Sequence, residues 1–148
     1  MRPGIRLGID WGAARIGVAA CDPAGTLAYP VETVPAGPGA IARLQALVNE
    51  YEPLELVLGL PRTLAGTESY AAAAIRAAAA DLTAALPGLP IRLVDERLST
   101  AAASRQLGQA GRSTRRQRKV IDQAAAVAIL ESALAQERAT GEPPGEAV

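Results

Sequence analysis

Within its first 35 residues the chain places three alternating segments before any helical pattern begins, and that order limits the folds open to it. In residues 5–10, Ile5, Leu7 and Ile9 face one way and Arg6, Gly8 and Asp10 the other, which is the period of a strand. Residues 15–21 alternate again, with Ile16, Val18 and Ala20 opposite Arg15, Gly17 and Ala19. Asp22-Pro23-Ala24-Gly25 is a turn signal, with Pro in second and Gly in fourth position. Residues 26–34 read as a third strand, and Pro30 inside it suits an edge or a bulge. The spacing predicts an antiparallel meander.

The pattern then changes. Residues 38–50 carry Ile41, Leu44, Leu47 and Val48 at helical spacing. Residues 54–60 form a short, mostly apolar run ended by Pro61, as a buried strand does. An Ala-rich helix is expected over 67–86, stopped by Pro87-Gly88, and a short strand over 91–95. A short helix is expected over 99–107, with Ser99 or Thr100 as N-cap, then a basic Gly-bearing loop over 108–113. Thr114-x-x-Gln117 fits a capping box opening a helix that runs to about Glu137. The predicted fold class is α/β: a mixed five-stranded sheet, three antiparallel strands followed by two crossover units, flanked by helices. The 148 residues suit one domain, over 1–138, with residues 139–148 expected as a disordered C-terminal tail.

Composition narrows the chemistry. The chain has no His and a single Cys, Cys21. An internal disulfide, a Cys/His zinc site and a Ser-His or Cys-His nucleophile are therefore excluded. An enzyme made from this chain works with carboxylates, Lys/Arg, hydroxyls or a metal. The N-terminus lacks the apolar core of a signal peptide, and the Ala-rich stretch is broken by Arg76, well short of the ~20 residues a bilayer span needs. The expectation is a soluble, cytoplasmic protein with no membrane partner.

Net charge is zero, but its distribution is uneven. Between residues 92 and 119, eight basic residues face only Asp95 and Glu96, a local balance of +6. Arg115, Arg116, Arg118 and Lys119 fall in the first turns of the expected last helix, where the macrodipole disfavours cations. A charge run is ordinarily a solvated face. Charges that oppose a dipole and adjoin a Gly-bearing loop are better explained by a polyanion such as a phosphate backbone. Aromatic residues are only 3% of the chain, too few for a stacking platform, so contact is expected mainly with phosphates.

Three acidic positions stand out. Asp10 shares a strand face with Gly8 and Gly12, and the neighbouring strand offers Gly17. These close-approach glycines leave room for a metal or a substrate backbone, although an Asp there also caps turns well. Asp95 and Glu96 end the last strand, where α/β folds place ligand sites; alternation points them to opposite faces and does not say which one serves a site. Asp122 begins an inward row of Ala126, Ile129 and Ala133, and an inward acid needs a partner; Arg118, one turn earlier, is the local candidate, but a cation preceding the acid is the weaker orientation for such a pair. Carboxylates brought together repel unless a divalent cation joins them, and Mg2+ or Mn2+, as one ion or two, suits such a set. Acids beside a basic rim make the composition of a metal-dependent nuclease.

Leu7-Gly8-Ile9-Asp10-Trp11-Gly12, Arg15-Ile16-Gly17-Val18-Ala19 and Asp22 resemble the opening motif of the YqgF family of pre-16S rRNA nucleases, also called Holliday junction resolvase-like. Gly59-Leu60-Pro61-Arg62 with Gly66-Thr67-Glu68, Asp95-Glu96-Arg97-Leu98-Ser99-Thr100, and Lys119-x-Ile121-Asp122-Gln123-Ala124-Ala125 resemble its other three blocks, in order and spacing. The resemblance implies an RNase H-like fold, with Asp10, Glu96 and Asp122 as the catalytic, metal-binding triad, and so selects Glu96 over Asp95. It implies maturation of the 5′ end of 16S rRNA, with pre-16S rRNA in a ribosomal precursor particle as partner. Thr63 and Ala65 stand where the family often carries Asn and Asp. On this reading Arg15, Arg97, Arg112, Arg115, Arg116, Arg118 and Lys119 hold phosphates. Resolution of branched DNA, and a non-catalytic RNA-binding role in ribosome assembly, are the alternatives.

Overall fold

The computed structural model describes residues 1–103 and 114–148. The three alternating segments become β1 (Arg6–Trp11), β2 (Arg15–Cys21) and β3 (Ala28–Pro35), paired antiparallel. Asp22 fixes the β2–β3 turn: its carboxylate accepts from Thr26 N at 2.8 Å, Thr26 Oγ1 at 2.7 Å and Leu27 N at 2.9 Å. The register between β2 and β3 shifts at Val18/Ala19, beside Pro30, where the missing N–H breaks the ladder.

α1 (Ala40–Tyr51) leads to β4 (Glu55–Leu60), parallel to β1, and α2 (Tyr70–Ala85) leads to β5 (Ile91–Asp95), parallel to β4. Every residue of β4 is buried, which suits its mostly apolar sequence; the exception, Glu55, is met by Arg2. A 3-10 turn at Glu96–Leu98 follows β5. Residues 101–103 are helical; the rest of the helix expected over 99–107, and the 108–113 loop, lie outside the described residues. Thr114 caps α3 (Arg115–Thr140) through the expected box: its hydroxyl accepts from Gln117 N at 3.1 Å, and Gln117 Oε1 accepts from Thr114 N at 2.8 Å.

Among the described residues the sheet has six strands rather than five, in the order β3-β2-β1-β4-β5-β6. The sixth, β6 (Glu146–Ala147), comes from the segment expected as a disordered tail and pairs antiparallel with β5. Side-chain anchors oppose the flexibility that its Pro and Gly content suggested. Glu146 meets Arg76 at 2.9 Å, and Arg92 donates to the carbonyls of Pro144 and Gly145.

α1 and α2 cover one face of the sheet, packing Leu44, Leu47, Ile75 and Leu82 on Leu7, Ile9, Leu56 and Leu58. α3 covers the other, where Ala126, Ile129, Leu130 and Ala133 meet Ala19, Val57 and Val94. Far from the carboxyl ends of the parallel strands, Glu137 of α3 is buried between Arg6, at 2.5 Å, and Arg2, at 2.6 Å; Arg2 also meets buried Glu55. Among the described residues, no helix is long and apolar enough to cross a membrane.

Candidate active site and an adjoining basic cavity

Strand alternation decides which acids share a face. Gly8 and Asp10 of β1, Gly17 of β2 and Gly59 of β4 lie on the α3 side of the sheet. Asp10 pairs with Gly17 and follows Ile9, whose partner on the other side is Leu58, so Asp10 is level with Gly59. Gly17, Asp10 and Gly59 thus form a row across three adjacent strands.

Both glycines in that row have something lying over them. A Cβ on Gly59 would stand 2.7 Å from Glu96 Oε1, so the Glu96 carboxylate folds back from the end of β5 over β4. A Cβ on Gly17 would stand 2.1 Å from the backbone oxygen of Asp122, so α3 crosses β2 at that residue. Glu96 is therefore within about one strand spacing, ~5 Å, of the column that carries Asp10. Asp10 and Glu96 are both buried, at 6% and 7% exposure.

The glycines do not leave empty space, as expected of them. α3 fills the position over Gly8, where a Cβ would meet Leu130 Cβ at 2.7 Å, and Gly12 closes the β1–β2 hairpin by donating to Arg15 O at 3.0 Å. Their service is to let the helix and the acids come down onto the sheet. Gly59, which serves Glu96 in this way, is not among the expected close-approach positions; a glycine inside a mostly apolar strand was its signal.

Asp95 and Glu96 divide their tasks. Asp95 lies on the opposite face, level with Leu60, and accepts from Arg97 N at 2.9 Å, starting the 3-10 turn. The Arg97 guanidinium hydrogen-bonds the same carboxylate at 2.6 Å and holds it below the usual carboxylate range against the opposing effect of burial. Arg97, expected to hold a phosphate, is thus tied to Asp95.

Asp122 comes to the site by its backbone, while its carboxylate turns to Arg15: Arg15 Nε donates to Asp122 Oδ2 at 2.7 Å. As arranged, no three acidic or Cys side chains among the described residues form a group able to hold a metal ion. Asp10 and Glu96 lie over adjacent strands, and the third expected ligand is engaged by an arginine. Thr33 of β3 ties α3 down beside it, donating to Lys119 O at 2.9 Å and accepting from Gln123 Nε2 at 3.0 Å.

Next to this pair lies a cavity of about 210 Å3, lined by Arg15, Thr33, Arg115, Arg118 and Lys119 with Ala14 and Pro35. Four cations and no carboxylate line it among the described residues. Arg116 stands exposed on the same helix, and Arg112 lies outside the described residues. Arg15 and the α3 cations, expected together to hold phosphates, come to this one cavity from distant parts of the chain.

A mixed sheet opening with three antiparallel strands, a long helix over one face and acids at the carboxyl ends of β1 and β5 make an RNase H-like fold. Thermus thermophilus RuvC, solved both on its own and with a Holliday junction substrate, aligns with TM-scores of 0.57, covering 95% of this chain and 99% of RuvC, at 16% and 18% identity. The family model RuvX, described as Holliday junction resolvase, matches residues 4–136, and the chain belongs to that family. A Streptomyces avermitilis relative is 55% identical over 150 residues, spanning 100% of this chain and 96% of its own length. A Cutibacterium acnes relative is 56% identical over 135 residues, spanning 91% and 84%. Both carry the name "Putative pre-16S rRNA nuclease".

Proposed function

We propose that this chain is a divalent-metal-dependent endonuclease of the cytoplasm that hydrolyses phosphodiester bonds in structured RNA, in maturation of the 5′ end of pre-16S rRNA. The observation that carries the reading is the row Gly17–Asp10–Gly59, with Asp122 above one end, Glu96 above the other and a cationic cavity alongside. The names of its relatives agree with it.

The residues suit Mg2+ or Mn2+. The donor set is carboxylate oxygen throughout, which these ions prefer, and Gly59 leaves the Glu96 carboxylate the room a side chain would take. Asp10 and Glu96 would hold the ion, with Asp122 completing the set. Bound there, the ion supplies positive charge to a phosphodiester oxygen during displacement. Arg15, Arg115, Arg118 and Lys119 bind the flanking phosphates and set the strand's position, and α3 keeps water from the inner side of the acids.

The test is Asp10→Asn assayed on a precursor rRNA fragment with Mg2+. Cleavage is expected to vanish while binding stays near the wild-type level; undiminished cleavage defeats the proposal. The family description and the RuvC likeness favour one second reading, resolution of branched DNA. Four-way DNA junctions offered beside precursor rRNA separate the two. Binding of precursor rRNA with no metal-dependent cleavage of either substrate would point to a non-catalytic assembly factor.

A further inference from the structure

Arg15 stands on the boundary between two sites. Its Nε holds the Asp122 carboxylate at 2.7 Å, and the same side chain lines the cationic cavity. The pair runs through one nitrogen and is open to water, with Arg15 36% and Asp122 16% exposed. A part-buried pair held by a single contact and open to water is held only weakly. The Arg6–Glu137 pair at the other end of the sheet, 2% exposed on both sides, is the opposite case and is built to stay closed. Asp122 also lies over the same row of strands as Asp10 and Glu96, yet its carboxylate does not join theirs.

We propose that Arg15 is an exchangeable counter-ion. It neutralises Asp122 while the acids carry no divalent cation. When that cation is bound, Arg15 leaves Asp122 and turns into the cavity, where with Arg115, Arg118 and Lys119 it holds a phosphate of the nucleic acid. Phosphate binding in the cavity and cation binding at the acids therefore strengthen one another, and by linkage each raises the other's affinity by the same factor. This proposal rests on the metal-dependent reading above and adds to it the order in which charges are exchanged.

The experiment follows the 15N–1H signal of the Arg15 Nε group and the backbone amides while Mg2+ is titrated into the whole protein. Arg15→Gln identifies the Nε signal. Loss of the Asp122 hydrogen bond is expected to move the Nε signal as Mg2+ binds. Inorganic phosphate, added next, moves it again in the Mg2+-loaded protein and far less without Mg2+. Arg15→Gln is expected to bind Mg2+ roughly tenfold more tightly, within the common span of coupling between sites. Arg115→Gln removes one cation from the same cavity without touching Asp122, and its Mg2+ affinity is expected to stay within about twofold of wild type because exposed charges are screened. An Arg15 signal that stays still while the Asp10 and Glu96 amides respond overturns the exchange and leaves the metal reading standing. So does an equal response to phosphate with and without Mg2+, or a tightening as large in Arg115→Gln. No response to Mg2+ anywhere overturns both readings. The wild-type signals decide the matter even if Arg15→Gln folds poorly.

Discussion

The Glu96 carboxylate occupies the space that a side chain on Gly59 would need: Oε1 and Cγ lie 2.7 and 2.9 Å from the Cβ position, and Ile129 Cδ1 lies 2.7 Å from it. All three are atoms of side chains that can move. Gly59→Ala is therefore expected to fold, at a cost of ~1–3 kcal/mol from overpacking, while pushing Glu96 out of place. Cleavage should fall on the order of a hundredfold, as misplaced reacting groups do, alongside a melting shift of only about 5 °C. Parallel melting and cleavage measurements check this; full activity would mean that the Glu96 position is unimportant.

Gly17→Ala meets a different obstacle, the backbone oxygen of Asp122 at 2.1 Å. No rotamer relieves that contact, so α3 itself must move. The loss of stability is expected at or beyond the upper end of ~1–3 kcal/mol and greater than that of Gly59→Ala. Urea denaturation of the two variants gives the order.

At the far end of the sheet, Glu137→Gln leaves the buried Arg6 guanidinium without its counter-charge. The expected cost is ~3–5 kcal/mol. Arg43→Ala, which breaks the exposed Arg43–Glu32 pair, is expected to cost no more than about 1 kcal/mol. A smaller urea-midpoint loss for Glu137→Gln than for Arg43→Ala would contradict the placement of Glu137.

Acid should unfold the protein through these same carboxylates. Burial alone would raise Glu137, but Arg2 and Arg6 outweigh it and hold the group below its usual range. Leu27 N and the Thr26 hydroxyl lower Asp22, and Arg97 lowers Asp95. A carboxylate lowered in the folded state lends stability above its unfolded pKa of about 4 and loses it as pH falls through the folded value. With no His in the chain, the urea midpoint is expected to be flat from about pH 7 to 5 and to drop below about pH 4. A midpoint that rises on acidification would refute this account.

Charge reversal at Arg115 and Arg116 tests the basic rim. The double variant is expected to bind precursor rRNA more weakly, with the salt slope reduced by about 2, near one unit for each lost phosphate contact. Unchanged affinity and slope would make the cluster a solvated face.

Much of this architecture could be read from the residues in order. Period-two alternation marked β1, β2 and β3, the mostly apolar run of residues 54–60 marked the buried β4, and Thr114 with Gln117 marked the start of α3. These are local signals, set by neighbours in the chain. The pairing of Arg15 with Asp122 spans 107 positions, and the local alternative, Arg118 one turn away, was the more visible partner in sequence. The choice of Glu96 over Asp95 likewise depends on which face of β4 carries a glycine opposite β5, a matter of register between strands. β6 was missed because two residues among prolines and glycines carry no period; their place is fixed by Arg76 and Arg92.

That short strand has a consequence for how the molecule behaves in a crowd. One border of the sheet is β3, interrupted by Pro30 and Pro35, which offer no N–H; the other is β6, two residues long and preceded by Pro143, Pro144 and Gly145. Neither border offers an unbroken row of amides onto which a neighbouring chain can zip, so growth into fibrils strand by strand is disfavoured on both sides.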